Sequence, residues 1–274
     1  MVESGRDKLV FDFAKKYLAD IPGVTKAIVE VYMEPEPQPG NIPGVYRRLL
    51  ESAQNAGSMP NVIGKSIPTG FSGLSRFLSD LDPKSVHGSY PNRKEFSLKL
   101  LNDMKEKLTL KGQVNDGAHS LWVRFCGSII EGAEFLSQFE DSKDFYEWVK
   151  FFDDDERARE ALPLLLKTKI HGFGFALACD FLKELGYINF GKPDVHIKNI
   201  FSSLNLADNK EDHVVLEAIQ RIAKNNETDA YAVDKVFWLI GSGKFYKHKQ
   251  CIGVNGRTGS HRKPFIEFVK SNGI

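Results

Sequence analysis

The chain has 274 residues, 42% hydrophobic and 27% charged, with a formal net charge of +1. This describes a globular protein with enough apolar material for a core that needs no disulfide or structural metal; it excludes disordered and fibrous classes and confines any polyanion contact to a local patch. No apolar run approaches the roughly 20 residues of a membrane span, and MVESGRDKLVFDFAKKYL carries charges where a signal peptide has its apolar stretch, so an intracellular protein is expected, cytoplasmic or, in a eukaryote, nuclear.

In chain order, apolar residues at three- and four-residue spacing predict a first helix over Lys8–Leu18. TKAIVEVYM, Thr25 to Met33, follows with β-branched, alternating residues and reads as an edge strand or an extended arm. The four prolines and two glycines from Pro35 to Gly44, and the breakers of SMPNVIGKSIPTGFSG, interrupt regular structure around a helix at Val45–Ala53. Residues 1–70 are therefore expected to form a looser N-terminal layer. Helical periodicity then recurs over Lys94–Leu108, Leu121–Phe139, Phe145–Phe152, Ala158–Leu166, Phe175–Leu185, Val195–Leu204, Val214–Ala223, Val233–Leu239 and Phe265–Val269, which makes 71–274 one helical body and the fold mainly α. Trp122, Trp148, Trp238 and the phenylalanines are read as core first and stacking surfaces second. Cys126, Cys179 and Cys251 form no CxxC pair, which argues against a zinc site, an iron–sulfur cluster and a disulfide framework.

Within this pattern, IHGFGF is a tight break between two helices, the second closed by Gly186. Gly172 and Gly174 permit positive φ and close backbone approach, and the N–H groups that open the second helix suit an anion such as a phosphate. Eighteen residues after Ala176, the polar break NFGKP ends in Asp194 at the head of an apolar helical run. Asp194 reads as a helix N-cap, as a functional carboxylate, or as both at once. A basic tail, with Lys244, Lys247, Lys249, Arg257, Arg262 and Lys263 free of Asp or Glu, is either a solvated loop or a phosphate contact.

These residues resemble the helix-hairpin-helix (HhH-GPD) DNA glycosylase superfamily, to which endonuclease III and the 8-oxoguanine DNA glycosylases belong. Ile170, Gly172, Phe173, Gly174 and Ala178 match its hairpin, and KPDVHI matches its aspartate segment with Asp194 and His196 in register. His171 replaces the usual hairpin proline. The resemblance implies a helical glycosylase body with its hairpin at 170–175, and a double-stranded DNA partner containing a damaged or mismatched base. Backbone contacts would come from Lys169, His171, Gly172, Phe173 and Gly174. Asp194 would stabilise the oxocarbenium-like sugar and orient a water, since a carboxylate suits both tasks. Ala176 stands where members that also cleave the backbone carry a nucleophilic lysine, so a monofunctional enzyme without lyase activity is implied. Ala176 and Asp180 would border the pocket for the flipped base, unless Asp180 pairs with a lysine or faces water. The family implies no metal held by side chains and no further cofactor, but a monovalent cation on the carbonyls from Ile170 to Gly174. A monomer is expected. Two other functions are compatible with the residues: a non-catalytic helix-hairpin-helix DNA-binding protein, and an all-helical interaction scaffold.

Overall fold

A computed structural model of the chain describes residues 3–57 and 59–273. Among them every regular element is a helix, in the order α1 (Glu3–Ala19), α2 (Lys26–Met33), α3 (Ile42–Gln54), α4 (Met59–Val62), α5 (Gly70–Phe77), a 3-10 turn (Ser79–Leu81), α6 (Pro83–Ser89), α7 (Arg93–Leu108), α8 (Leu121–Leu136), α9 (Ser142–Asp153), α10 (Ala161–Lys169), α11 (Phe175–Glu184), α12 (Val195–Ser203), α13 (Asp212–Asn225), α14 (Ala230–Ser242) and α15 (Arg262–Ser271). β structure among the described residues is limited to isolated bridges from Arg257 to Lys244 and Val254. The protein is mainly α, as the periodicity predicts.

The expected strand at Thr25–Met33 is a helix. Thr25 caps α2 by accepting a hydrogen bond from Ile28 N, and Val29 and Tyr32, three residues apart, are buried while Val31 is 41% exposed. β-branched residues favour strands only where a pleated surface is there to receive them; here a helical face packs on α14, and tertiary burial outweighs the local preference.

The chain divides into two compact units. One joins the segment ending at Glu36 to everything from Leu182 onward, and the other is Pro37–Phe181. The division therefore does not fall near residue 70. The proline-rich stretch 35–44 instead ends one unit and leads into α3, whose first turn takes Pro43 and whose Asn41 cap accepts from Gly44 N.

In the Pro37–Phe181 unit α8 is the central helix, packed by α3, α6, α7 and α10. It is apolar on nearly all sides, the pattern of a helix with no solvent face. Gly132 lets α3 come close: a Cβ there would stand 2.8 Å from Leu49 Cδ2, and Tyr46 donates to the Ile129 carbonyl at 2.6 Å. Trp148 on α9 gathers Phe135, Phe139, Phe145 and Phe152 around it.

In the other unit α14 plays the same part, packed by α1, α2, α12, α13 and α15. The two ends of the chain share this core: Phe11 meets Phe237, and Tyr17 meets Phe265 and Phe268. Asp7, almost wholly buried, takes the Arg221 guanidinium at 2.9 Å and the Asn225 amide at 2.7 Å. A loop follows α14 on Gly243, whose φ of +60° and contact with the Gly259 carbonyl leave no room for a Cβ. Phe245 N donates to Gly256 O and Lys247 N to the Tyr32 hydroxyl, which folds this basic segment back on its own unit.

Candidate functional site

The hairpin forms where the sequence predicts it. α10 ends at Ile170, whose side chain is buried and whose carbonyl accepts from Phe173 N at 3.1 Å, closing the turn. Gly172 adopts φ +82°, and a Cβ on it would lie 2.8 Å from Ser128 Oγ and 3.0 Å from Arg124 Cγ, so conformation and packing both demand glycine. Gly174 differs: its φ is not in the left-handed region, and nothing lies within 4 Å of where its Cβ would be. Beyond it, the N–H groups of Gly174, Phe175 and Ala176 have no hydrogen-bond acceptor among the described residues. They form the positive end of α11 and are free to receive an anion.

Behind the hairpin, α8 presents a polar stripe at i, i+4 and i+7. Arg124 Nη2 donates to Gly172 O at 2.7 Å, Ser128 Oγ donates to His171 O at 2.7 Å, and Glu131 Oε2 accepts from His171 N at 2.5 Å. Arg93 on α7 balances Glu131 through Nε–Oε1 at 2.7 Å. Gly127 makes space on the same face, since its Cβ would meet the His171 ring at 2.5 Å. Burial and the Arg93 and Arg124 guanidiniums hold the His171 imidazole below its ordinary range, against the pull of Glu131. The sequence reading overlooked these three residues, although polar side chains at i, i+4 and i+7 of an otherwise apolar helix were a legible sign.

Asp194 belongs to the other unit. It is the N-cap of α12: Oδ1 accepts from His196 N at 2.8 Å and Ile197 N at 3.1 Å, while Oδ2 carries no hydrogen bond among the described residues. The residue is half-buried at the end of a loop anchored from below. Asp234 on α14, fully buried, accepts from Lys192 N at 3.1 Å through Oδ1 and holds the Lys183 ammonium at 2.5 Å through Oδ2. Lys235, also buried, reaches Glu184 at 2.8 Å and the Tyr246 hydroxyl at 3.1 Å and lies over the Tyr231 ring. Burial pushes the Asp234 carboxyl up and the negative charge of Asp194 adds to this, while Lys183 and Lys235 pull it back. His196 packs on Gly241, where a Cβ would stand 2.5 Å from the His196 Cβ and 3.0 Å from the ring.

The remaining sequence-predicted residues divide by exposure. Lys169 is exposed at the end of α10 and Ala176 is half-buried. The Phe173 ring is buried against Phe181, so of this residue only backbone is offered at the hairpin. Asp180 neither faces water nor stands alone: it is buried and its Oδ2 accepts from the Asn55 side chain at 3.0 Å. In the basic tail Lys247 pairs with Glu36 at 2.9 Å, while Lys244, Lys249, Arg257 and Lys263 are exposed. A cavity of about 460 Å³ in the Pro37–Phe181 unit is lined by the capped starts of α3, α6 and α9, including Asn41, Asp82 and Asp141, and contains none of the residues singled out above.

Cys126 and Cys179 are buried and Cys251 is exposed, and none of the three is joined in a disulfide. Among the described residues no helix is long and apolar enough to cross a membrane. Comparison of the chain with family models, curated proteins and solved structures finds no match.

Proposed function

We propose that the protein is a monofunctional DNA glycosylase that hydrolyses the N-glycosidic bond of a damaged or mismatched base. The observation that carries this reading is the divided carboxylate of Asp194. One oxygen is committed to the α12 cap, which fixes the group's position and orientation, and the other is left free of hydrogen bonds among the described residues. A carboxylate so held is preorganised: it stabilises positive charge developing on a sugar and accepts a proton from an attacking water without first reorganising. Taken by itself, the hairpin of the Pro37–Phe181 unit has three free N–H groups at Gly174–Ala176 and the exposed Lys169 available to a backbone phosphate. A base reaches such a carboxylate only outside the stack, so this grip on the backbone offsets part of the few kcal/mol of unstacking.

Ala176 supplies no amine, and the reaction therefore runs through water. The products are a free base and an intact abasic strand. The test is incubation with duplexes carrying different lesions, with and without subsequent alkali, and with borohydride present in parallel. Cleavage only after alkali and no trapped covalent adduct are expected; an adduct lost in Lys169→Gln would instead assign a displaced lysine nucleophile.

A second reading, DNA binding without chemistry, is favoured by the same cap, because Asp194 has a full structural role even with Oδ2 idle. Asp194→Asn separates the two. The amide keeps the cap and the shape, so a glycosylase loses excision while its duplex affinity stays within a few-fold. No excision by the unmodified chain on any lesion, with binding intact, selects the binding protein.

A further inference from the structure

The resemblance to the helix-hairpin-helix glycosylases implies a monovalent cation seated on hairpin carbonyls, and of the five from Ile170 to Gly174 only Phe173 O has no hydrogen-bond donor among the described residues, too few free oxygens to seat one. Ile170 O accepts from Phe173 N at 3.1 Å, His171 O from Ser128 Oγ at 2.7 Å, and Gly174 O from Leu177 N and Ala178 N at 3.0 Å each. Gly172 O is taken by a side chain that is itself cationic, the Arg124 guanidinium at 2.7 Å. A bound ion would have to share this carbonyl with a fixed positive charge a few Å away, and like charges at that range repel. Glu131 does not neutralise Arg124, because its carboxylate is occupied by Arg93 at 2.7 Å and by His171 N at 2.5 Å. Arg124 has no carboxylate partner among the described residues.

We propose that Arg124 is the hairpin's own cation: it fixes the Gly172 carbonyl and supplies the positive charge behind the phosphate received by the N–H groups of Gly174, Phe175 and Ala176, so that DNA binding by this chain is indifferent to the identity of the monovalent ion. The proposal rests on the DNA-binding part of the reading above. A guanidinium suits the role. It is charged at every physiological pH, keeps its planar fork when half-buried, and is carried here on a rigid buried helix rather than on a loop. The remaining donors of Arg124, beyond the one spent on Gly172 O, are left for the phosphate or its water shell. Ser128 and Glu131 hold His171, the preceding residue of the hairpin, from both its carbonyl and its N–H, so the turn is shaped by α8 without any ion.

The test has an arm with DNA and an arm without. In the first, affinity for an undamaged and a lesion-bearing duplex is measured by fluorescence anisotropy at a series of matched ionic strengths in potassium, sodium or tetramethylammonium chloride, for the unmodified protein and for Arg124→Met, which keeps the apolar stem. Unmodified protein should bind equally in all three salts, within about twofold. Arg124→Met should bind both duplexes on the order of tenfold more weakly, the scale of one charge-assisted hydrogen bond. Its salt dependence should also be shallower by about one counterion, and a preference for potassium over tetramethylammonium should emerge once the carbonyl is vacated. In the second arm, thermal melting of both proteins in the same salts reads ion binding without DNA, and no potassium-specific rise in Tm is expected for the unmodified chain. A potassium-specific gain in affinity or Tm by the unmodified protein overturns the proposal, as does a folded Arg124→Met that binds like the parent. If the unmodified protein binds no duplex in any salt, the DNA-binding reading falls and takes the phosphate role of Arg124 with it, while the melting arm still decides whether an ion sits on the hairpin.

Discussion

Asp194 and the two hairpin glycines separate structural from functional demand at single positions. The cap made by Asp194 Oδ1 is kept by asparagine and lost in alanine, so Asp194→Ala should cost about 0.5–2 kcal/mol of stability and Asp194→Asn only a few tenths. Excision should vanish in both. Urea denaturation beside the alkali-cleavage assay measures the two effects, and retained turnover in Asp194→Asn would remove the carboxylate from the mechanism. The glycines divide in a parallel way. Gly172→Ala forces φ +82° on an L-residue and crowds Ser128 and Arg124, and should destabilise the fold by at least about 1–2 kcal/mol. Gly174→Val meets open space and no left-handed backbone, so its stability should stay close to that of the parent. It should nevertheless weaken binding to damaged and undamaged duplex alike, because the added side chain stands before the free N–H groups. Weakening confined to damaged duplex would place Gly174 at the base rather than the phosphate.

At the scale of elements, α8 and α14 share one construction: a helix buried on almost every side that carries a few charged groups inward. Charge taken out of water must be paired or hydrogen-bonded, and in both helices the bonds made by these groups also hold a segment of the candidate site. α8 shapes the hairpin through Arg124, Ser128 and Glu131; α14 anchors the loop before Asp194 through Asp234. Asp234→Asn should therefore do more harm than an ordinary polar change. It weakens the charge-assisted bond to the buried Lys183 ammonium, which Glu184 at 3.4 Å only partly replaces, a loss on the scale of about 1.5–3 kcal/mol. Chemical denaturation is the measurement, and a cost under about 1 kcal/mol would mean that Glu184, 3.4 Å from Lys183, already suffices to pair it.

For the molecule as a whole, stability follows pH through groups in both units. His171, desolvated and beside Arg93 and Arg124, and His261, desolvated at the start of α15, both have imidazole pKa values below the ordinary 6.5. Their unfolded forms take up protons first as pH falls, so stability is full above about pH 6.5 and declines as pH drops through that value. A further decline follows below about pH 4, where carboxylates held low by their native partners, such as Asp82 beside the Ser85 hydroxyl, become protonated. Melting temperature against pH should show both steps, and the double change His171→Gln, His261→Gln should flatten the upper one. A step near pH 6.5 unaltered by that change would assign it to other groups.

The sequence by itself determined the local chemistry. Helical periodicity, cap residues and breakers act over a few neighbours, so the first helix, the helix at Val45–Ala53, those from Lys94 onward, the hairpin at 170–175 and the cap position of Asp194 were legible, while the short α4, α5 and α6, too brief to show a period among their breakers, were not. The tertiary structure decided whatever depends on what an element packs against. It turned Thr25–Met33 into a helix because α14 offered a helical face to pack on and no sheet edge is present among the described residues. It moved the unit boundary from residue 70 to Glu36 and Phe181, because α1 finds its core against α13, α14 and α15, more than 170 residues away in sequence. It buried Asp180 against Asn55, and it set a guanidinium on the Gly172 carbonyl where an ion was expected. Each of these joins residues that are remote along the chain, and such pairings are chosen by complementarity of surfaces and charges that no local pattern records.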